Sequence, residues 1–252
     1  MESTPSWVPD WTTLPERTWL EYRHAYNISS QPRMFREPRI RDLEMDVQGI
    51  IIGTVTFCSG TFDHIDLGEL REPHQLIREK LDSALSQFFQ WLKTISRDAA
   101  VSPIYEHFSR AVFDALHGVS DSNEADIAGF TEWRNVMAGW NSSGTQSTID
   151  GILNNAYAER RVLDFTAKLC NMLHGKRILL SSRAGHIGSG PPQMLVGDKI
   201  VLVSGVPAPL IIREEAETPG KYTVLGPAFI CGFMSWDENE KKEEEWVSLT
   251  FF

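Results

Sequence analysis

The chain predicts an α+β fold with an N-terminal aromatic arm and β-ribbon, a helical middle, and a C-terminal small β-barrel or meander. Three observations carry this. Between Pro73 and Ile95 the apolar residues Ile77, Leu81, Ala84, Leu85, Phe88, Leu92 and Ile95 recur every three or four positions, which is one face of an amphipathic helix. After Gly175 the period falls to two, in short β-rich runs separated by Gly, Pro or charged turns. Composition is ordinary for a globular chain, with 42% apolar and 23% charged residues over 252 positions, which excludes bulk disorder.

Residues 1–42 are rich in Pro, Trp and Arg without any period, and are expected to wrap the surface of a folded body, with Trp7, Trp11 and Trp19 as anchors. Over residues 43–60, Leu43, Met45 and Val47 alternate with polar partners and Ile50, Ile51, Ile52, Val55 and Phe57 follow. This predicts a β-ribbon, a first strand pair, with turns or bulges at Gly49 and Gly53. The helical region spans 73–175. Beyond its first helix, Ser102 and Pro103 give N-cap and first-turn signals for a second, which stops at Gly118. Weaker helical character runs from Asn123 to Ala138. Ser147-Thr148-Ile149-Asp150 resembles a capping box opening a longer helix that ends near Gly175. In the barrel-like region, 176–252, the expected strands are Arg177–Ser182, Lys199–Val203, Leu210–Arg213, Tyr222–Leu225 and Ala228–Ile230, and Trp246–Phe252 is expected to pack back as a last one. The charge run from Asp237 to Glu245 reads as a solvated face. The whole is expected to form a single composite domain.

A formal charge of −10 argues against nucleic acid and anionic membranes as partners, since neither releases counterions to a surface of its own sign. No apolar run approaches the roughly 18–20 residues of a membrane span. Cys58, Cys170 and Cys231 are odd in number and far apart, which suits buried thiols in a reducing compartment, and no targeting signal is visible; a cytoplasmic location is expected.

The densest local pattern is Ser182-Arg183-Ala184-Gly185-His186-Ile187-Gly188-Ser189-Gly190-Pro191-Pro192, followed by Gly197-Asp198 and a strand. Its glycines form no Walker sequence and no helix follows to receive a phosphate, so no nucleotide cofactor is expected. One reading places Gly185, Gly188, Gly190 and Gly197 at positive φ in hairpin turns, with Asp198 closing a turn before its strand. The other makes His186 a general acid or base oriented by Asp198, with Arg183 beside them. His64, Asp63, Asp66 and His74 have ligand chemistry, but no HxxxH, HExxH or CxxC spacing places two ligands on one face, and no metal site is expected. No Gly-x-Ser-x-Gly elbow is present. Glu106-His107 and Asp114 to His117 fall on the polar face of a predicted helix.

Pro5-Ser6-Trp7-Val8-Pro9-Asp10-Trp11 and the C-terminal run from Arg177 to Gly226 together resemble stretches of fungal heterokaryon-incompatibility (HET) proteins. Pro5-Ser6-Trp7-Val8-Pro9-Asp10-Trp11 is similar to the segment that follows the effector domain in that family. The C-terminal pattern is matched by Arg177 to Pro191, then Gly197-Asp198-Lys199-Ile200, Val203-Ser204-Gly205 with Pro209-Leu210, and Tyr222-Thr223-Val224-Leu225-Gly226. The order and spacing of both ends agree with the family. Two features depart from it: the sequence starts four residues before Pro5, so the effector domain is expected to be missing, and the usual Gly-x-Met ending reads Gly232-Phe233-Met234-Ser235-Trp236-Asp237. The resemblance implies an α+β architecture and a fungal, intracellular origin, while the family's cell-death activity is attributed to the part not matched.

Two function classes follow. The chain is a HET-like regulatory or interaction module with a protein partner, or a cofactor-independent enzyme of fungal secondary metabolism, a cyclase or isomerase acting on a small molecule. The second would need an apolar aromatic pocket with acid and base groups, expected where Trp7, Asp10 and Trp11 face His186 and Arg183. The eight tryptophans motivate it, although a core of this size uses aromatics as readily. Oligomeric state is open on either reading.

Overall fold

One long strand, Glu44–Cys58, runs through the region where the sequence suggests a two-stranded ribbon. In the computed structural model, which describes residues 37–66, 75–97, 127–133, 158–182, 186–206, 208–231 and 246–252, the strands are β1 (Arg39–Arg41), β2 (Glu44–Cys58), β3 (Arg177–Ser181), β4 (Ile187–Gly190), β5 (Lys199–Val203), β6 (Leu210–Glu214), β7 (Lys221–Pro227), β8 (Phe229–Ile230) and β9 (Val247–Phe251). The described residues fall into two compact units. One is built from residues up to Cys58 and from Leu179 onward, the other from Ser59–Ile178, so the second is inserted in sequence after β2 and ends within β3.

β2 takes different partners along its length. It meets β1 near Asp46, β9 from Met45 to Gly49, β5 from Gly49 to Thr54, and β3 from Val55 to Cys58. Register slips between Ile51 and Gly53 and again between Val55 and Phe57, so the bulge expected at Gly53 is present and a second lies beyond it, while Gly49 stays in regular register with neither bulge nor turn. The reason is steric: a Cβ at Gly49 would lie 2.8 Å from Leu249 Cδ1 and 2.9 Å from the Leu202 carbonyl oxygen, so glycine admits close approach from both neighbouring strands.

The pairings β5–β6–β7–β9–β2, with β5 returning to β2, close a ring of strands. All but β7–β9 are antiparallel. Val47, Val201, Val203, Ile212, Tyr222, Leu249 and Phe251 form one buried cluster to which every strand of the ring contributes, and this cluster fills the ring. Ile50, Ile52, Ile200, Leu202 and Ile211 face the other way and pack against Leu179, Met194, Ala228 and Ile230. β5 is therefore apolar on both faces, which explains its unbroken Ile200-Val201-Leu202-Val203 run.

β4 departs from expectation. Gly188 and Gly190 lie in a strand and not in positive-φ turns, while Gly197 does take φ 101° as the turn reading requires. A Cβ at Gly188 would fall 2.1 Å from the Phe229 carbonyl oxygen across the β4–β8 pair, so close backbone approach selects glycine there.

In the inserted unit, α1 (Gln75–Arg97) and α2 (Ala158–Met172) accompany a helical stretch at 127–133. α1 buries Leu81, Ala84, Leu85 and Phe88 of the three-four spacing read from the sequence, together with Trp91, which that reading did not include. Phe62 stacks on Phe88 at 4.8 Å, and Phe88 meets Trp133 edge-on at 5.3 Å. The buried Trp133 indole N–H donates to Thr166 Oγ1 at 3.0 Å. After α2 the chain turns at Gly175, φ 68°, a left-handed position that glycine adopts without strain. The helix expected over 102–118, the capping box at 147–150 and the charge run at 237–245 lie outside the described residues. Among the described residues no helix is long and apolar enough to cross a membrane. The architecture is α+β.

Candidate functional site

The turn that delivers the chain into β5 is held by a buried carboxylate. β5 and β6 pair with Lys199 opposite Ile212, so the next rung outward sets Asp198 against Arg213. Arg213 Nε donates to Asp198 Oδ1 at 2.8 Å and its Nη2 to Oδ2 at 2.9 Å, a two-point ion pair. The same Nη2 reaches the Gln193 carbonyl at 2.8 Å, and the Leu195 amide donates to Asp198 Oδ2 at 2.7 Å. Asp198 is 4% exposed, while Arg213 reaches the surface. The hydrogen bonds to Asp198, reinforced by its charge and opposed by partial burial, raise the guanidinium above its ordinary range.

Backbone bonds fix the rest of this turn. Gly197 N–H donates to the Val55 carbonyl at 2.9 Å, Val55 N–H to the Asp198 carbonyl at 2.8 Å, and Met194 N–H to the Pro191 carbonyl at 3.1 Å. At its tip Leu195 is 48% exposed and Val196 62%. Two adjacent apolar side chains thus stand in solvent on a turn tied from both sides.

His186 has a different environment. Its ring is half-buried, with Nδ1 3.3 Å from the Cys231 carbonyl, and its own carbonyl accepts from Ser181 N–H at 2.9 Å. A proton on Nδ1 suits that contact. The side-chain hydrogen bonds of Asp198 go to Arg213 and Leu195, so the carboxylate expected to orient His186 orients an arginine and a turn. Arg183, Trp7, Asp10 and Trp11 lie outside the described residues. Arg213 was not singled out from the sequence, although a signal existed: with both hairpin strands in hand, setting Ile200 opposite Ile211 places Asp198 across from Arg213. Among the described residues no group of three or more His, Cys, Asp or Glu is placed to hold a metal.

The family profile of the Het-6 beta-barrel domain matches residues 82–249, about two thirds of the chain. The chain belongs to the Het-6 beta-barrel domain family. It is also similar to heterokaryon incompatibility protein 6, OR allele, of Neurospora crassa, with 24% identity over 282 aligned positions that cover 96% of this chain and 39% of that protein. The chain therefore spans about two fifths of the length of this relative. No solved structure matches. The Het-6 barrel match takes in β3 to β8 and the start of β9, whereas β2, which closes the ring through β9 and β5, precedes the matched residues. Asp198, Arg213, Leu195 and Val196 all lie inside it.

Proposed function

We propose that this chain is an interaction and regulatory module of the HET-like class, acting in the cytoplasm through contact with a protein partner. The observation that supports this reading is the Asp198-held turn with Leu195 and Val196 at its tip. Keeping two apolar side chains in water forgoes roughly 1.5–3 kcal/mol of burial for each. A rigid apolar projection of this kind loses little conformational entropy when a partner's pocket receives it. The enzyme alternative draws less support, because Asp198 is engaged by Arg213 and His186 contacts a backbone carbonyl, so the pair expected to share acid–base work is divided.

The test compares the immobilised wild-type chain with the Leu195→Asp/Val196→Asp variant in a fungal lysate, after thermal unfolding shows that both fold alike. A protein retained at least tenfold more by wild type, whose purified form binds wild type alone, supports the reading. Retention of the same proteins by both overturns it, as does conversion of a small molecule by the purified chain.

A further inference from the structure

Two histidines that are 110 positions apart in sequence meet at the surface of the inserted unit. The Phe62↔His174 bridge brings the segment after Cys58 alongside the exit of α2, and Gly175 N–H donates to the Phe62 carbonyl at 3.2 Å. Asn171 then holds Ile65 by both backbone groups, its Oδ1 accepting from Ile65 N–H and its Nδ2 donating to Ile65 O, each at 2.8 Å. His64 lies between these anchors, Phe62 and Ile65, both buried, while the rings of His64 and His174 stay exposed with centroids 5.8 Å apart.

We propose that His64 and His174 form a two-imidazole site for a borderline divalent transition ion such as zinc or nickel, with water in the remaining positions. Imidazole nitrogen is the ordinary ligand for such ions, and zinc–nitrogen bonds of about 2.0–2.1 Å set two rings on one tetrahedral ion with centroids roughly 5 Å apart. The observed 5.8 Å is one small side-chain rotation away, and the present edge-to-face contact holds the rings in neighbouring positions. Among the described residues no hydrogen bond engages a ring nitrogen of either residue, so the lone pairs are available. Backbone pairing on both sides spares the ordering cost that a flexible loop would incur on binding. Asp63 and Asp66 flank His64 in the same segment and favour a cation, while Lys80, whose ammonium donates to the His64 carbonyl at 3.4 Å, opposes it. Sequence spacing could not reveal the pair, because its members come from a loop and a helix exit.

Isothermal titration of the chelator-treated chain with Zn2+, Ni2+ and Cu2+ at neutral pH tests the site. Expected is one saturable equivalent, tightest for copper as the usual affinity order requires, weakened at least tenfold in His64→Ala and in His174→Ala and unchanged in His186→Ala. Copper bound to wild type should show hyperfine coupling to two imidazole nitrogens, reduced to one in either single variant. Absence of saturable binding overturns the proposal, and so does a full equivalent retained by the His64→Ala/His174→Ala double variant. Both rings are exposed, so these variants keep the fold, and unchanged thermal unfolding without metal verifies that.

Discussion

Asp198 and Arg213 face each other one rung beyond the Lys199–Ile212 pair and join by two parallel bonds of 2.8 and 2.9 Å. The carboxylate is buried and also receives the Leu195 amide, so removing it strands the turn amide and frees the β6 end from β5. Asp198→Ala is expected to lower stability by about 2–4 kcal/mol, toward the lower end because Arg213 can turn to solvent. Arg213→Lys should cost about 1–2 kcal/mol, since an ammonium cannot make the same two-point bond. Urea denaturation of both variants measures this. A loss under about 0.5 kcal/mol for Asp198→Ala would show that the ion pair does not hold the turn.

Two buried tryptophans differ in one respect. Trp133 Nε1 has Thr166 as acceptor, whereas Trp91 Nε1 has no hydrogen-bond partner among the described residues. Replacement by Phe removes a similar volume from each, so the difference isolates the indole N–H. Trp133→Phe should cost about 1 kcal/mol more than Trp91→Phe, because only the former breaks a hydrogen bond. Equal losses in paired denaturation curves would place an acceptor, such as a buried water, at Trp91.

What the sequence revealed and what it concealed both have local causes. The α1 face and β5 were legible because their periods express burial directly: one apolar stripe for α1, and apolar side chains on both sides for β5. The uninterrupted run of β2 and the strand β4 were hidden, because Gly49 in the one and Gly188 in the other look like turn residues when the need is close strand approach, a property of neighbours remote in sequence. In the candidate site Asp198 was legible as a turn-closing residue. Its partner depended on a hairpin register that composition does not state, and the meeting of His64 with His174 depended on a tertiary bridge.

Gly188 and Gly190 occupy one short strand yet should respond differently to alanine. At Gly188 the new Cβ would lie 2.1 Å from a backbone oxygen of β8, so β4 and β8 must separate. At Gly190 it meets Met194 Sδ at 3.1 Å, part of a flexible side chain that can shift. Gly188→Ala is expected to cost roughly 2–4 kcal/mol and Gly190→Ala about 1 kcal/mol or less. Thermal melts of the two purified variants decide the order, and a Gly190→Ala loss as large as that of Gly188→Ala would contradict it.

Cys170 gives the pH dependence of the inserted unit a definite sign. Burial pushes its thiol from 9.0 up to about 12, with the charge of Asp63 adding to the rise. Below pH 9 the folded and unfolded chains both keep this proton. Between 9 and about 12 the unfolded chain releases it while the folded chain retains it, so the folded state binds more protons and stability falls as pH rises. Burial lowers the Lys176 ammonium, which acts in the opposite sense: below its ordinary 10.5 the unfolded lysine holds the extra proton, and stability rises with pH there. Tyr222, raised by burial and Glu214 in the other unit, adds a loss above pH 10. The wild type minus Cys170→Ala difference cancels both backgrounds. Removing the sulfur should cost about 1–2 kcal/mol of packing at neutral pH, and that deficit should shrink steadily from pH 9 upward as the wild type loses its thiol contribution. Urea midpoints at pH 7.5, 9 and 10.5 measure it. A deficit constant with pH would mean that the folded thiol ionises as it does in the unfolded chain.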